Sequence, residues 1–120
     1  MAVEDGAVLG RLLGHFQRAE CPRGELPELM RLYQSLRKDR TATVVKTATG
    51  NRSLYHVLDG PEQRERDARL GSHDWWDESA SFPWVFGDIG YLHQLYGFDT
   101  MKSADEVFAR SRLAQGDGGP

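Results

Sequence analysis

A chain of 120 residues, 39% hydrophobic and 28% charged, is long enough for one core and too short for two, and this balance excludes wholesale disorder or a fibrous repeat. Its longest apolar runs, such as Trp84-Val85-Phe86, are a few residues, against the roughly 20 that a membrane-spanning helix needs. The net charge of -3 is unevenly spread, with 12 Lys/Arg against 10 Asp/Glu in residues 1–70 and 3 against 8 in residues 71–120, an imbalance too slight to argue for nucleic acid under physiological screening.

The first predicted element is an amphipathic helix over residues 7–18, carrying Val8, Leu9, Leu12, Leu13 and Phe16 at helical spacing behind Glu4 and Asp5. Gly6, Gly10 and Gly14 recur every four residues and are expected to form a thin face against the domain's own core. Cys21-Pro22-Arg23-Gly24 breaks the helix. Cys21 is the sole cysteine, which excludes an intramolecular disulfide and a cysteine-based zinc site and fits a reducing compartment. The acidic N-terminus has no basic segment leading into an apolar one, so no secretory leader is expected and the cytoplasm is.

Pro27 suits the first turn of a second helix, with Leu29, Met30, Leu32, Tyr33 and Leu36 on its apolar face and Arg37-Lys38-Asp39-Arg40 near its end. Composition then turns β-branched. Thr41 to Thr47 and Ser53 to Leu58 read as two strands around Gly50-Asn51, giving a β-hairpin whose apolar face, with Val45, Tyr55 and Val57, must be covered. Glu62 to Arg69 is rich in helix formers but has almost no apolar stripe, which predicts a solvated helix or linker with internal i,i+4 pairing.

Eight of the twelve aromatic residues lie between Gly71 and Asp99. Pro83 is expected to open a helix with Val85, Ile89, Leu92 and Tyr96, closed by Gly97 in a left-handed cap. Ser103-Ala104-Asp105-Glu106 has the pattern of a capping box ahead of a helix with Val107, Phe108 and Leu113. The fold expected is α+β, four to five short helices packed around one β-hairpin. Residues 1–115 would make a single domain, and 116–120 a flexible tail. Residues 7–18, 27–36 and 83–96 would supply most of the core.

The chain has no G-x-S-x-G elbow, phosphate-binding P-loop or G-x-G-x-x-G turn, and nothing around Cys21 marks it as a nucleophile. His73 and Asp77 fall on one helical face beside Asp74, with His93 or Asp88 available to complete a metal or acid/base site, but Ser72 and Asp74 also suit a helix cap and no H-E-x-x-H is present. No metal or cofactor is therefore expected. Two helices followed by a hairpin are similar in order to a winged-helix module, which normally has three helices before its wing. On that basis Arg31, Arg37, Lys38, Arg40, Lys46 and Arg52 are the residues that would meet nucleic acid.

The aromatic segment carries the leading expectation. Trp75 and Trp76 are adjacent, so a regular helix or strand cannot point both inward. With Trp84, and with Asp74, Asp77 and Glu78 as a polar rim, they would form a docking surface for another protein. The function expected is a non-enzymatic accessory or adaptor protein, with a DNA- or RNA-binding regulator and a small enzyme with a site near His73 as alternatives.

Overall fold

The computed structural model describes residues 1–77 and 87–115. Their regular elements are α1 (Ala2–Arg18), a 3-10 turn at Arg23–Glu25, α2 (Leu26–Tyr55), α3 (Pro61–Ser72), α4 (Ile89–Tyr96), α5 (Thr100–Arg110) and α6 (Arg112–Gln115). No strand occurs among the described residues, so the fold is all-helical there, and the expected α+β architecture is corrected.

The hairpin fails because its first strand, its turn and the second strand as far as Tyr55 lie inside α2, 30 residues long, while residues 56–58 lead into the turn before α3. A lone hairpin would leave two unpaired edges, whereas a helix satisfies each interior N–H and carbonyl locally. The cost of the β-branched residues in a helix is only a few tenths of a kcal/mol each, about 1 kcal/mol for Gly50. Thr49 bends its hydroxyl back to donate to the Val45 carbonyl at 2.9 Å.

The helices form two compact units, one of Met1–Ala42 with Asp99–Pro120 and one of Thr43–Phe98. In the first, Val8, Leu12 and Phe16 lie one helical turn apart on α1 and are buried with Leu29 of α2, Ala104 and Phe108 of α5, and Leu113 of α6. Leu12, Leu29 and Ala104 have no exposed surface. Cys21, Leu32, Tyr33 and Leu36 pack around this core. Residues 7–18 and 27–36 thus supply core as expected. The described part of the third expected contributor does not, since α4 buries no residue.

α1 begins earlier than its apolar pattern, which places Glu4 and Asp5 inside its first turn. It ends in a Schellman arrangement: the Cys21 N–H reaches the Phe16 carbonyl at 3.2 Å, the Glu20 N–H reaches that of Gln17 at 3.1 Å, and Glu20 sits at φ 52°. The glycine stripe does not make a close approach. A Cβ on Gly6 or Gly10 would meet nothing within 4 Å, and one on Gly14 would meet only the Arg18 guanidinium, at 3.3 Å.

α5 starts before the capping box read from the sequence. Asp99 is its N-cap, accepting from the Lys102 N–H at 2.9 Å, so Ser103 and Glu106 lie within the helix. Helix and capping chemistry were legible here, but a better-placed aspartate took the cap.

In the second unit, the charged segment does form a helix, α3, with Pro61 in its first turn and i,i+4 pairs Gln63–Asp67 and Glu65–Arg69 on its surface. Arg66 donates from Nη1 to the Leu54 carbonyl at 2.9 Å, tying α3 to the last turn of α2. α4 is capped by Asp88, whose side chain accepts from the Tyr91 N–H at 2.9 Å. The expected opening at Pro83 lies outside the described residues. Gly97 ends α4 at φ -82°, a right-handed and not a left-handed cap. Glycine is required there by space, because a Cβ would stand 2.6 Å from the His93 carbonyl oxygen.

Candidate functional site

The densest constellation of titratable side chains with an aromatic neighbour joins α1 to α5. Arg11 and His15, four residues apart on α1, share one helical face. Asp105, in the second turn of α5, meets both. Arg11 grips its carboxylate with two parallel bonds, Nε to Oδ1 at 2.6 Å and Nη2 to Oδ2 at 2.8 Å. The His15 Nε2 lies 2.6 Å from Oδ1. The Phe108 ring, one turn beyond Asp105, stacks on the imidazole with centroids 5.1 Å apart.

The other imidazole nitrogen is also taken. Arg18 Nη2 lies 3.3 Å from His15 Nδ1, and glycine at position 14 gives that guanidinium room to fold back. Arginine can only donate, so Nδ1 accepts and Nε2 carries the proton directed at Asp105. Hydrogen bonds from Arg11 and then from His15 hold the Asp105 carboxyl well below the ordinary carboxylate range, and Asp105 in turn raises Arg11. A carboxylate so stabilised is a poor proton acceptor, and a histidine with both nitrogens engaged has no lone pair to offer a metal or substrate. The cluster acts as a clamp between two helices.

A second clamp joins α1 to α2. Arg37 is 4% exposed. Its Nε donates to Asp5 Oδ1 at 2.7 Å, and its Nη1 forms an ion pair with Glu4 Oε2 at 2.9 Å without hydrogen-bond alignment. Arg40 adds Nε to Glu4 Oε2 at 2.9 Å and Nη2 to Oε1 at 2.6 Å. The Arg40 hydrogen bonds, opposed by burial and reinforced by Arg37, lower the Glu4 carboxyl from 4.5 to about 2.

The residues read from the sequence as candidate sites fare unevenly. Arg37 and Arg40 are committed to these carboxylates, and Arg31 pairs with Glu28 at 2.6 Å. Lys38, Lys46 and Arg52 are exposed along α2. The most buried member of the basic set, Arg37, thus anchors the fold, and Lys46 and Arg52, expected on a hairpin, are carried by helix α2. Trp76 is 93% exposed and Trp75 half-exposed. Asp74 accepts from the Trp76 N–H at 3.0 Å, closing a tight turn. Asp77 is exposed; Trp84 and Glu78 lie outside the described residues. His73 meets the edge of Trp75 with centroids 4.6 Å apart. Among the described residues no group of three potential ligands is placed to hold a metal, so His73, Asp77 and His93 do not converge.

Sequence reasoning passed over Arg11, His15 and Asp105. The i,i+4 spacing of Arg11 and His15 was available as a signal. Asp105 was absorbed into the capping pattern, and its distance of 94 residues from Arg11 left nothing local to join them.

No family model matches this chain, and no solved structure gives a significant match. It is similar to the FAD-dependent monooxygenase OpS4 of Beauveria bassiana (strain ARSEF 2860), with 36% identity over 112 residues. The match covers 93% of this chain and 25% of that protein, so the chain spans about a quarter of the relative's length. The likeness is to an enzyme, and it overturns the reading of this chain as a non-enzymatic, protein-binding accessory or adaptor.

Proposed function

We propose that this chain is a helical part of an FAD-dependent monooxygenase. The observation that carries the reading is the 36% identity to OpS4 extending over 112 residues. A match of that extent leaves out only eight of the 120 residues, so at least one of the two helical clamps described above lies largely within it whichever end is omitted, and Arg11, His15 and Asp105 all fall inside an unbroken match. The resemblance thus runs along nearly the whole of this chain.

FAD would supply the redox chemistry of such an enzyme. The described residues do not fit a flavin site. Their part is to hold α1, α2 and α5 as a rigid body, through the Leu12 and Leu29 core and the two ion-pair clamps. Among the described residues no helix is long and apolar enough to cross a membrane.

The test is to tag the chain in its native source, purify the protein to which it belongs, and measure flavin absorbance together with oxygen uptake driven by a reduced nicotinamide. Bound flavin and such uptake are expected. A preparation with neither would overturn the proposal.

A further inference from the structure

Proteins commonly hold the pyrophosphate of FAD on backbone N–H groups at a glycine-rich turn between a strand and a helix, where the helix dipole favours negative charge. This chain has no G-x-G-x-x-G sequence, and no strand precedes a helix among its described residues.

The N-termini of α1 to α5 are themselves taken. Glu4 and Asp5 occupy the first turn of α1, Glu28 that of α2, and Glu62 that of α3. Asp88 and Asp99 cap α4 and α5 and already accept from the Tyr91 and Lys102 N–H groups. Each of these helices thus has a carboxylate of its own where a phosphate would bind, competing for the same donors and repelling the same charge.

Three of the cations that might offset this are engaged elsewhere, Arg11 with Asp105 and Arg37 and Arg40 with Glu4 and Asp5. The clefts beside the α2–α3 turn are no better suited. One is lined by Glu62 and Glu65, with Arg66 already bonded to the Leu54 carbonyl, and the other by Asp59 and Glu62.

We infer that this chain holds no FAD with its own residues, and that the flavin of the proposed enzyme is bound by residues outside these 120. The inference rests on the monooxygenase reading for its choice of cofactor.

The test is titration of FAD with the 120-residue chain, its helicity first established by circular dichroism, following FAD fluorescence anisotropy and tryptophan emission. Trp76, 93% exposed, makes the emission sensitive to a bound flavin. Both signals are expected to match those of a non-binding control protein. A saturable rise to one FAD per chain overturns the inference.

Should the isolated chain lack helix, photolabelling the native protein with azido-FAD answers the same question. Adducts are expected outside residues 1–120, and an adduct within them overturns the inference. Absence of flavin and oxygen uptake in the native protein would instead remove the monooxygenase reading, an outcome the titration of the chain alone does not produce.

Discussion

Arg11 and Asp105 stand 94 residues apart in sequence and meet through two parallel hydrogen bonds of 2.6 and 2.8 Å. This pair, with His15 on the same carboxylate, fixes the register of α5 on α1. The Asp105→Asn substitution keeps the size of the side chain and removes its charge, so it should lower the thermal midpoint by a few degrees. Because the partners share one site, Arg11→Ala and Asp105→Asn should be sub-additive in a double-mutant cycle. Additive losses would show that the pair does not couple.

Acid should remove the stability that the α1–α2 clamp provides, over the window between the ordinary and the lowered value of the Glu4 carboxyl. Glu4 has its carboxyl lowered from 4.5 to about 2 in the folded chain, so the folded state binds the proton less readily than the unfolded one. The stability this provides is fully present above pH 4.5 and is lost as pH falls toward 2. Thermal midpoints measured across that window should fall, and Glu4→Gln should flatten the fall. An unchanged profile in the variant would place the acid sensitivity elsewhere.

The core gives a contrast of size. Leu12 has no exposed surface and sits among Val8, Phe16, Leu29 and Phe108 in one cluster. Leu12→Ala should cost about 2–5 kcal/mol in denaturant unfolding, through lost transfer energy and the cavity left behind. Leu58, 86% exposed, should cost no more than about 0.5 kcal/mol when changed to alanine. Equal effects would contradict the assignment of the core.

These residues also show what could be read beforehand. Val8, Leu12, Phe16 and Leu29 were visible because the apolar spacing of a helix records its buried face directly. Val44, Val45 and Thr47 mislead because their β preference is worth tenths of a kcal/mol, and among the described residues no neighbouring strand rewards it. Asp105 was invisible as a clamp, since an aspartate near a helix start looks the same whether it caps that helix or grips another. Along the sequence Glu4 and Asp5 suit a helix dipole, and Arg37 and Arg40 suit a helix end; that the two sets meet is a tertiary fact.

The glycines of α1 offer a test of the corrected packing. Gly10 lies inside the helix, and a Cβ there would meet nothing within 4 Å. Gly10→Ala should therefore stabilise the chain by roughly 0.5–1 kcal/mol, the difference in helix propensity. If the stripe instead met a backbone closely, the same substitution would destabilise and the thermal midpoint would drop.

Glu20 poses the converse case, a side chain where glycine is favoured. It occupies the left-handed position at φ 52° that closes the Schellman motif after α1, with the Cys21 N–H bonded to the Phe16 carbonyl at 3.2 Å. A left-handed L-residue costs roughly 1–2 kcal/mol, partly offset on changing to glycine by the greater freedom of the unfolded chain. Glu20→Gly should thus raise stability by about 0.5–1 kcal/mol in denaturant unfolding, with helicity unchanged. Loss of stability would mean that the Glu20 side chain contributes more than its backbone strain costs. Glu20→Ala separates the two, because alanine removes the carboxylate and keeps the strained φ, so a gain confined to glycine locates the effect in the backbone.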